Sequence, residues 1–341
     1  MTMKIFLKVL KWIGLSVGSL LVLIILVGLA FRLFGPKPHQ PMGELVDIGG
    51  FKLHINAAGE KGNQPTLLIE GGLGLPSEHY HWLSEGLKDS LRVVRYDRAG
   101  IGYSELSDTA RDPETVAREL HTLLERAGES PPYILAGHSF GGPYIRVFAQ
   151  LYPDEVVAMI FMDATHPERV ERFDLPQASS AKFKQYLWIL HAQAVLGDLG
   201  ILGLYDRSTG PILAGEGLPD EINRRMLDFS LDGKFVRAYI KEMKSYHSGL
   251  KRSGEASDFG TLPIRVFAAI ERYKDAYLRA KGTDPEQRQV EVVKMHQEFA
   301  DLSTNGKLIL IEANHNSIYT KKENADMICK EIIQLFRDLE Q

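Results

Sequence analysis

Apolar and polar positions divide the chain into three regimes. The first is continuous: residues 12–31 carry no charge, and about 20 such residues at 1.5 Å each cross the roughly 30 Å hydrocarbon core of a bilayer. In the second, short β-prone runs alternate with amphipathic helical ones. Residues 44–48 and 51–56 flank Gly49-Gly50, a pair suited to the positive φ of a hairpin, so a sheet is predicted to begin antiparallel. Strand-like runs follow at 66–69, 91–96, 133–136 and 156–162, separated by helical patterns at 80–87, 113–127 and 143–152. Within 113–127, Val116, Leu120, Leu123 and Leu124 recur at helical spacing. The run 156–162 is almost wholly apolar, as expected of a strand covered on both faces. The third regime, 167–260, holds helical patterns at 183–196, 220–231 and 234–248 and no buried strand. Strands resume at 263–270 and 307–311, around a helix at 284–302 and before an amphipathic stretch at 325–339.

These alternations predict an α/β fold, a mostly parallel sheet wrapped by helices. The segments are 1–35, an anchor or signal; 36–166, the first part of the core; 167–260, a helical cap; and 261–341, the second part of the core. Lys4, Lys8 and Lys11 precede the first apolar run and Arg32 and Lys37 follow it. That modest bias favours a single-pass anchor with a cytoplasmic N-terminus and an extracytoplasmic body. A cleaved signal peptide, which would make the protein secreted, is the competing reading, because Gly28 and Ala30 supply small residues at cleavage-site spacing. Gly35, Pro36, Pro38 and Pro41 then make a short stiff linker. The apolar stretch 186–205, interrupted by Gly197, Gly200 and Gly203, does not read as a second span.

Composition narrows the chemistry. A net charge of -4 and no basic stripe give no electrostatic reason to expect a nucleic-acid partner. The lone cysteine, Cys329, cannot form an internal disulfide and is expected as a small buried apolar residue. No histidine and carboxylate set has metal spacing, and Gly100-Ile101-Gly102 lacks the third glycine of a dinucleotide fingerprint, so no metal or cofactor is expected.

The candidate chemistry centres on residues 133–144, Y-I-L-A-G-H-S-F-G-G-P-Y, where a strand, a sharp turn and a helix coincide with Ser139 at the apex. Such a turn lifts a serine hydroxyl above the sheet edge, and the flanking glycines avoid collision with neighbouring backbone. Serine is a poor nucleophile until a base takes its proton and a third group orients that base. Among eleven histidines, His315 follows the last strand and lies on a loop at the same carboxyl edge of the sheet. His138 is expected to point away from the site, and His79, His81 and His166 to pack or line its mouth.

With G-H-S-F-G at 137–141, E-G-G-L-G at 70–74, D-R-A-G-I-G-Y-S at 97–104 and N-H-N-S at 314–317, in that order, the chain resembles the α/β-hydrolase superfamily from about residue 44 onward. It is most similar in pattern to bacterial esterase-like and lipase-like members with a helical cap. The resemblance implies an eight-stranded sheet and a triad of Ser139, His315 and an acid. The acid is Asp163, at the end of the strand after the turn helix, or Glu271, or Asp275, the last two lying near the commoner family position. It implies oxyanion donors at the backbone N–H groups of Phe140 and Leu73, with glycine at 71 where relatives often have histidine. Asp97-Arg98 is read as a structural pair. The implied activity is serine hydrolysis of a carboxylic ester or related small acyl substrate. A peptidase or acyltransferase on the same triad, or a non-catalytic binding protein on this fold, are the alternatives. Relatives that open epoxides or cleave carbon–halogen bonds carry aspartate at the position of Ser139.

Overall fold

The structure, a computed structural model, describes residues 2–229, 232–255, 258–271 and 284–339. Its strands are β1 (Glu44–Asp47), β2 (Lys52–Ala58), β3 (Thr66–Glu70), β4 (Val93–Tyr96), β5 (Tyr133–His138), β6 (Val156–Met162), β7 (Ile264–Ala269) and β8 (Gly306–Ile311). They form one sheet in the order β1-β2-β4-β3-β5-β6-β7-β8. The first two pairings, β1 with β2 and β2 with β4, are antiparallel and the rest are parallel. Gly49 and Gly50 take φ of 103° and 115° in the first hairpin, where the Asp47 carboxylate accepts from Gly49 N at 2.7 Å.

Successive residues of a strand face opposite sides of a sheet, and both sides here are apolar. Leu68, Leu135, Phe161 and Val266 enter one core with Leu120, Leu124, Val147 and Phe148. Their chain neighbours Leu67, Ile134, Ile160 and Phe267 enter the other, with Leu83, Ile328, Ile332 and Leu335. Each fully buried Leu, Ile or Phe contributes about 1.5–3 kcal/mol, which is why the middle strands read as unbroken apolar runs. Helix Pro113–Ala127 starts where the Asp112 side chain accepts from Thr115 N at 3.0 Å and stops at Gly128, φ 68°. Helix Lys322–Leu339 covers the opposite face and buries Cys329. Burial pushes that thiol up to about 12, as suits a packing residue.

Between β6 and β7 the chain runs through helices Arg169–Arg172, Ala181–Asp198, Ile201–Thr209, Asp220–Met226 and Gly233–Gly254, with no strand among the described residues. This is the helical cap. The pattern at 220–231 ends as a helix at Met226, whereas that at 234–248 extends to Gly254. The apolar stretch 186–205 resolves into two helices bent by 89°, the bend made at Gly200, φ 76°. The N-terminal helix runs Thr2–Phe34, and its Ile5–Phe34 portion is long and apolar enough to cross a membrane.

His79 ties the core to the cap: it is buried, and its Nε2 lies 2.6 Å from the Leu213 carbonyl. Burial drives its pKa from the ordinary 6.5 to about 4, and burial, opposed by Glu298, does the same to His166. With the folded values below the unfolded one, the unfolded chain binds these protons first. The stability they contribute is complete above about pH 6.5 and is lost as pH falls toward 4. We expect the thermal midpoint to drop between about pH 7 and about pH 5, and the doubly substituted His79→Gln/His166→Gln protein to show a flatter drop. Melting curves across that range check this; parallel profiles for the two proteins would refute it.

Candidate active site

Ser139 occupies the turn between β5 and helix Gly141–Leu151 with φ 53°. A left-handed conformation costs a residue with a side chain about 1–2 kcal/mol, and the surroundings hold it there. Ser139 N donates to Met162 O at 3.2 Å, and its carbonyl accepts from Gly142 N at 3.1 Å and Thr165 N at 2.8 Å. A Cβ on Gly137 would lie 2.6 Å from the carbonyl carbon of Gly141, so this turn closes only with glycine there.

Asp163, the residue after β6, is also left-handed, φ 43°, and its N donates to Phe267 O at 2.7 Å. That conformation sends its carboxylate across the end of β7. Oδ1 accepts from Ala269 N at 3.1 Å, and Oδ2 lies 2.5 Å from His315 Nδ1. The other nitrogen of His315, Nε2, is 3.0 Å from Ser139 Oγ, 176 positions away in sequence. The serine, imidazole and carboxylate named from the sequence thus stand in one hydrogen-bonded row. Of the other two carboxylates, Glu271 is exposed and lines the same cavity through a segment whose N donates to Ala313 O at 2.9 Å, without bonding His315. Asp275 lies outside the described residues.

A fourth group, His296, was not singled out from the sequence. Its Nε2 is 3.2 Å from Asp163 Oδ1, and its Nδ1 is 2.8 Å from Val292 O. The first contact is electrostatic rather than a well-aligned hydrogen bond. Burial alone would raise the Asp163 pKa, yet the close approach and charge of His296 and the hydrogen bond and charge of His315 hold it well below the carboxylate range. The sequence did carry a signal: Met295, His296, Phe299 and Ala300 form the buried face of helix Pro285–Ala300, so a histidine lies among core positions.

His138 turns away from the cavity and is wholly buried. Its Nδ1 is 3.1 Å from Tyr80 Oη, which accepts from Gly72 N at 3.0 Å, and its Nε2 is 3.0 Å from the His315 carbonyl. Burial, then the neighbouring His315, push its pKa well below 6.5. The neutral ring donates from Nε2 to His315 and accepts at Nδ1 from Tyr80, linking the loop before Leu73 to the loop carrying His315.

The loop after β3 approaches Ser139 closely, since a Cβ on Gly72 would lie 3.1 Å from Ser139 Cβ. Neither Leu73 N nor Phe140 N is taken by a backbone acceptor among the described residues. Arg98 holds this loop from beneath. It donates to Gly71 O at 2.8 Å, Gly72 O at 2.6 Å, Glu70 Oε1 at 2.5 Å and, on the cap helix Gly233–Gly254, Glu242 Oε1 at 2.7 Å. Glu242 in turn accepts from Gly74 N at 2.8 Å. The expected Asp97–Arg98 pair is therefore corrected: Asp97 bonds His54 Nδ1 at 2.8 Å and Ser77 N at 2.7 Å instead. Adjacent residues at a strand end point to opposite sides, so each finds its own partner.

Ser139, Leu73, His315 and His296 open on a cavity of about 240 Å³, also lined by Tyr246, Val292, Arg169 and Arg288. His166 lines it, while His79 and His81 do not. A larger cleft of about 750 Å³ shares His166 but not Ser139. There His166, Glu168 and Glu298 are close enough to share a cation. Arg172 already donates to both carboxylates, at 2.6 Å each.

A sequence profile described as the alpha/beta hydrolase fold matches residues 65–198. The uncharacterized Bacillus subtilis protein YqjL is 33% identical over 197 residues, covering 53% of this chain and 78% of that protein. The chain belongs to the α/β-hydrolase superfamily. The uncharacterized protein YbdG of the same organism is 29% identical over 188 residues, covering 54% of this chain and 58% of its own length. The hydrolase-superfamily chain thus spans less than two thirds of YbdG. A thermophilic esterase from Thermogutta terrifontis shares the fold at a TM-score of 0.58 and 19% identity, over 87% of this chain and 99% of that one.

Replacing Arg98 by Met leaves Glu70 and Glu242 buried and uncompensated. We expect the unfolding free energy to fall by about 3–5 kcal/mol, with Arg98→Lys recovering part because one ammonium cannot reach two carboxylates and two carbonyls. Denaturant titration checks this; a loss under about 1 kcal/mol would contradict the role given to this cluster.

Proposed function

We propose that this chain is a serine hydrolase that cleaves a carboxylic ester or related acyl substrate through an acyl-enzyme. The observation that carries the reading is the row Ser139 Oγ, His315 Nε2 and Nδ1, and Asp163 Oδ2, with spacings of 3.0 and 2.5 Å. Ser139 Oγ attacks the acyl carbon while its proton passes to His315 Nε2. Asp163 keeps the proton on Nδ1 and stabilises the imidazolium that forms. The developing oxyanion is met by the N–H groups of Leu73 and Phe140. Collapse breaks the bond to the leaving group, which takes the proton from His315. Water, deprotonated by the same imidazole, then attacks the acyl-enzyme and releases the acid and free Ser139.

The N-terminal helix is, on this reading, a retained membrane anchor rather than a cleaved signal. Arg32 hydrogen-bonds the Asp198 carbonyl, and Gly28 packs on Leu199 and Ile201. A body from which this helix had been removed would lose those contacts.

Ser139→Ala is expected to lower turnover of acyl esters by about 10⁴-fold or more, and Asp163→Asn by about 10³- to 10⁴-fold. Only the first should also abolish labelling by a fluorophosphonate probe. Circular dichroism establishes that both variants are folded. Full turnover by Ser139→Ala would sink the assignment, and an active Glu271→Gln beside an inactive Asp163→Asn would identify the acid.

A further inference from the structure

Helix Ala181–Asp198 has two apolar faces. Leu187, Leu190 and Ala194 pack with Phe235, Val236 and Ala238 of helix Gly233–Gly254. On the opposite side, at helical spacing, Trp188 is 71% exposed, Ile189 42%, Val195 58% and Leu196 38%. The patch continues past the 89° bend through Tyr205, 57% exposed, and Ile212, 62% exposed. A helix with apolar side chains on two opposite faces normally has both of them covered.

The bend is also where the N-terminal helix meets the body. Gly28 backbone touches Gly200, Phe31 lies against Gly203 with Arg207 over its ring, and Arg32 reaches Asp198. These residues are the last turns of the apolar helix, where an anchor leaves the hydrocarbon. The exposed patch therefore begins at the level of the bilayer surface. Its tryptophan and tyrosine suit that interface, and exposed Lys182 and Lys184 open the helix.

We propose that the outer face of Ala181–Asp198 and Ile201–Thr209 lies in the lipid interface, so that the cap of the anchored protein rests on its own membrane. The proposal rests on the anchor reading. A face of this kind sinks about 5–10 Å into the headgroup and acyl boundary. Continuity with the anchor favours lipid over a second copy, because the anchor brings the patch to the bilayer in every single molecule.

The test uses the full chain in phosphatidylcholine and phosphatidylglycerol vesicles, with Trp12→Phe removing the tryptophan of the anchor. Lipid brominated near the top of its acyl chains should quench this protein at least about twofold more than Trp12→Phe/Trp188→Phe, in which Trp82 alone remains. Equal quenching, with Trp188 open to aqueous acrylamide, would overturn the proposal. Shielding of Trp188 from both quenchers would place a second copy on the face and overturn it too. Carbonate extraction separates the two readings. Protein released at alkaline pH refutes the anchor and this inference together, whereas protein that stays while Trp188 goes unquenched refutes this inference alone.

Discussion

A single buried guanidinium decides how the pieces of this molecule meet. Arg98 leaves β4 and is 3% exposed, yet it donates to a carboxylate on β3, a carboxylate on the cap and two carbonyls of the loop between them. Desolvation opposes a charge at that depth, and Glu242 and Glu70 overcome it, so the guanidinium stays charged. Burial raises Glu70, which Arg98 and the Tyr96 hydroxyl counter. The planar fork matters as much as the charge, since it fixes the direction of each bond. Moving the cap or the Gly72 loop would leave part of this cluster unpaired in a dry interior, where such groups cost most. The loop that faces Ser139 is thus positioned by the same contact that seats the cap.

Onto that frame the fold adds two strained corners. Ser139 and Asp163 both end strands with positive φ, and β5 and β6 are neighbours. Strain at both places is held by backbone bonds: Ser139 O accepts from Thr165 N, beyond Asp163, and Asp163 N donates to Phe267. Strained residues persist where surrounding structure over-determines them, as it does at both of these strand ends. Because Asp163 stands one strand from Ser139 and reaches across β7, the imidazole that bridges them comes from the loop after β8.

Much of this was legible in the residue pattern. The middle strands follow from apolar runs, because burial on both faces leaves no polar interruption, and β1 and β2 follow from the Gly49-Gly50 turn between them. The turn at Ser139 follows from glycine spacing, and His315 from its place after the last strand. The choice between Asp163 and Glu271 was not legible. It depends on the left-handed backbone at Asp163, which turns the carboxylate sideways, and aspartate alone does not announce that conformation. His296 and Tyr80 escaped for a related reason. Each lies on the buried side of a helical segment, and only the packed structure shows that one meets Asp163 and the other His138. The Arg98 partners were misread because adjacency in sequence suggested Asp97, while the guanidinium reaches Glu242 across 144 positions.

Three imidazoles crowd the proposed triad, and burial divides their work. The His138 ring centroid is 4.6 Å from that of His315. Were both charged, the imidazolium formed on His315 in the proposed reaction would face a like charge in a medium that screens poorly. Full burial keeps His138 neutral, and its fixed tautomer turns it into a strut, donating to the His315 carbonyl and accepting from Tyr80. On the other side, in the proposed reaction, the positive charge developing on His315 would meet Asp163, a carboxylate held ionised at depth by its two imidazole neighbours. The environment of His315 is therefore asymmetric by construction: a neutral ring behind, a carboxylate at Nδ1 and the serine hydroxyl at Nε2. That asymmetry gives the imidazole a direction in which to pass a proton, which a row of three residues without the neighbouring strut would hold less firmly.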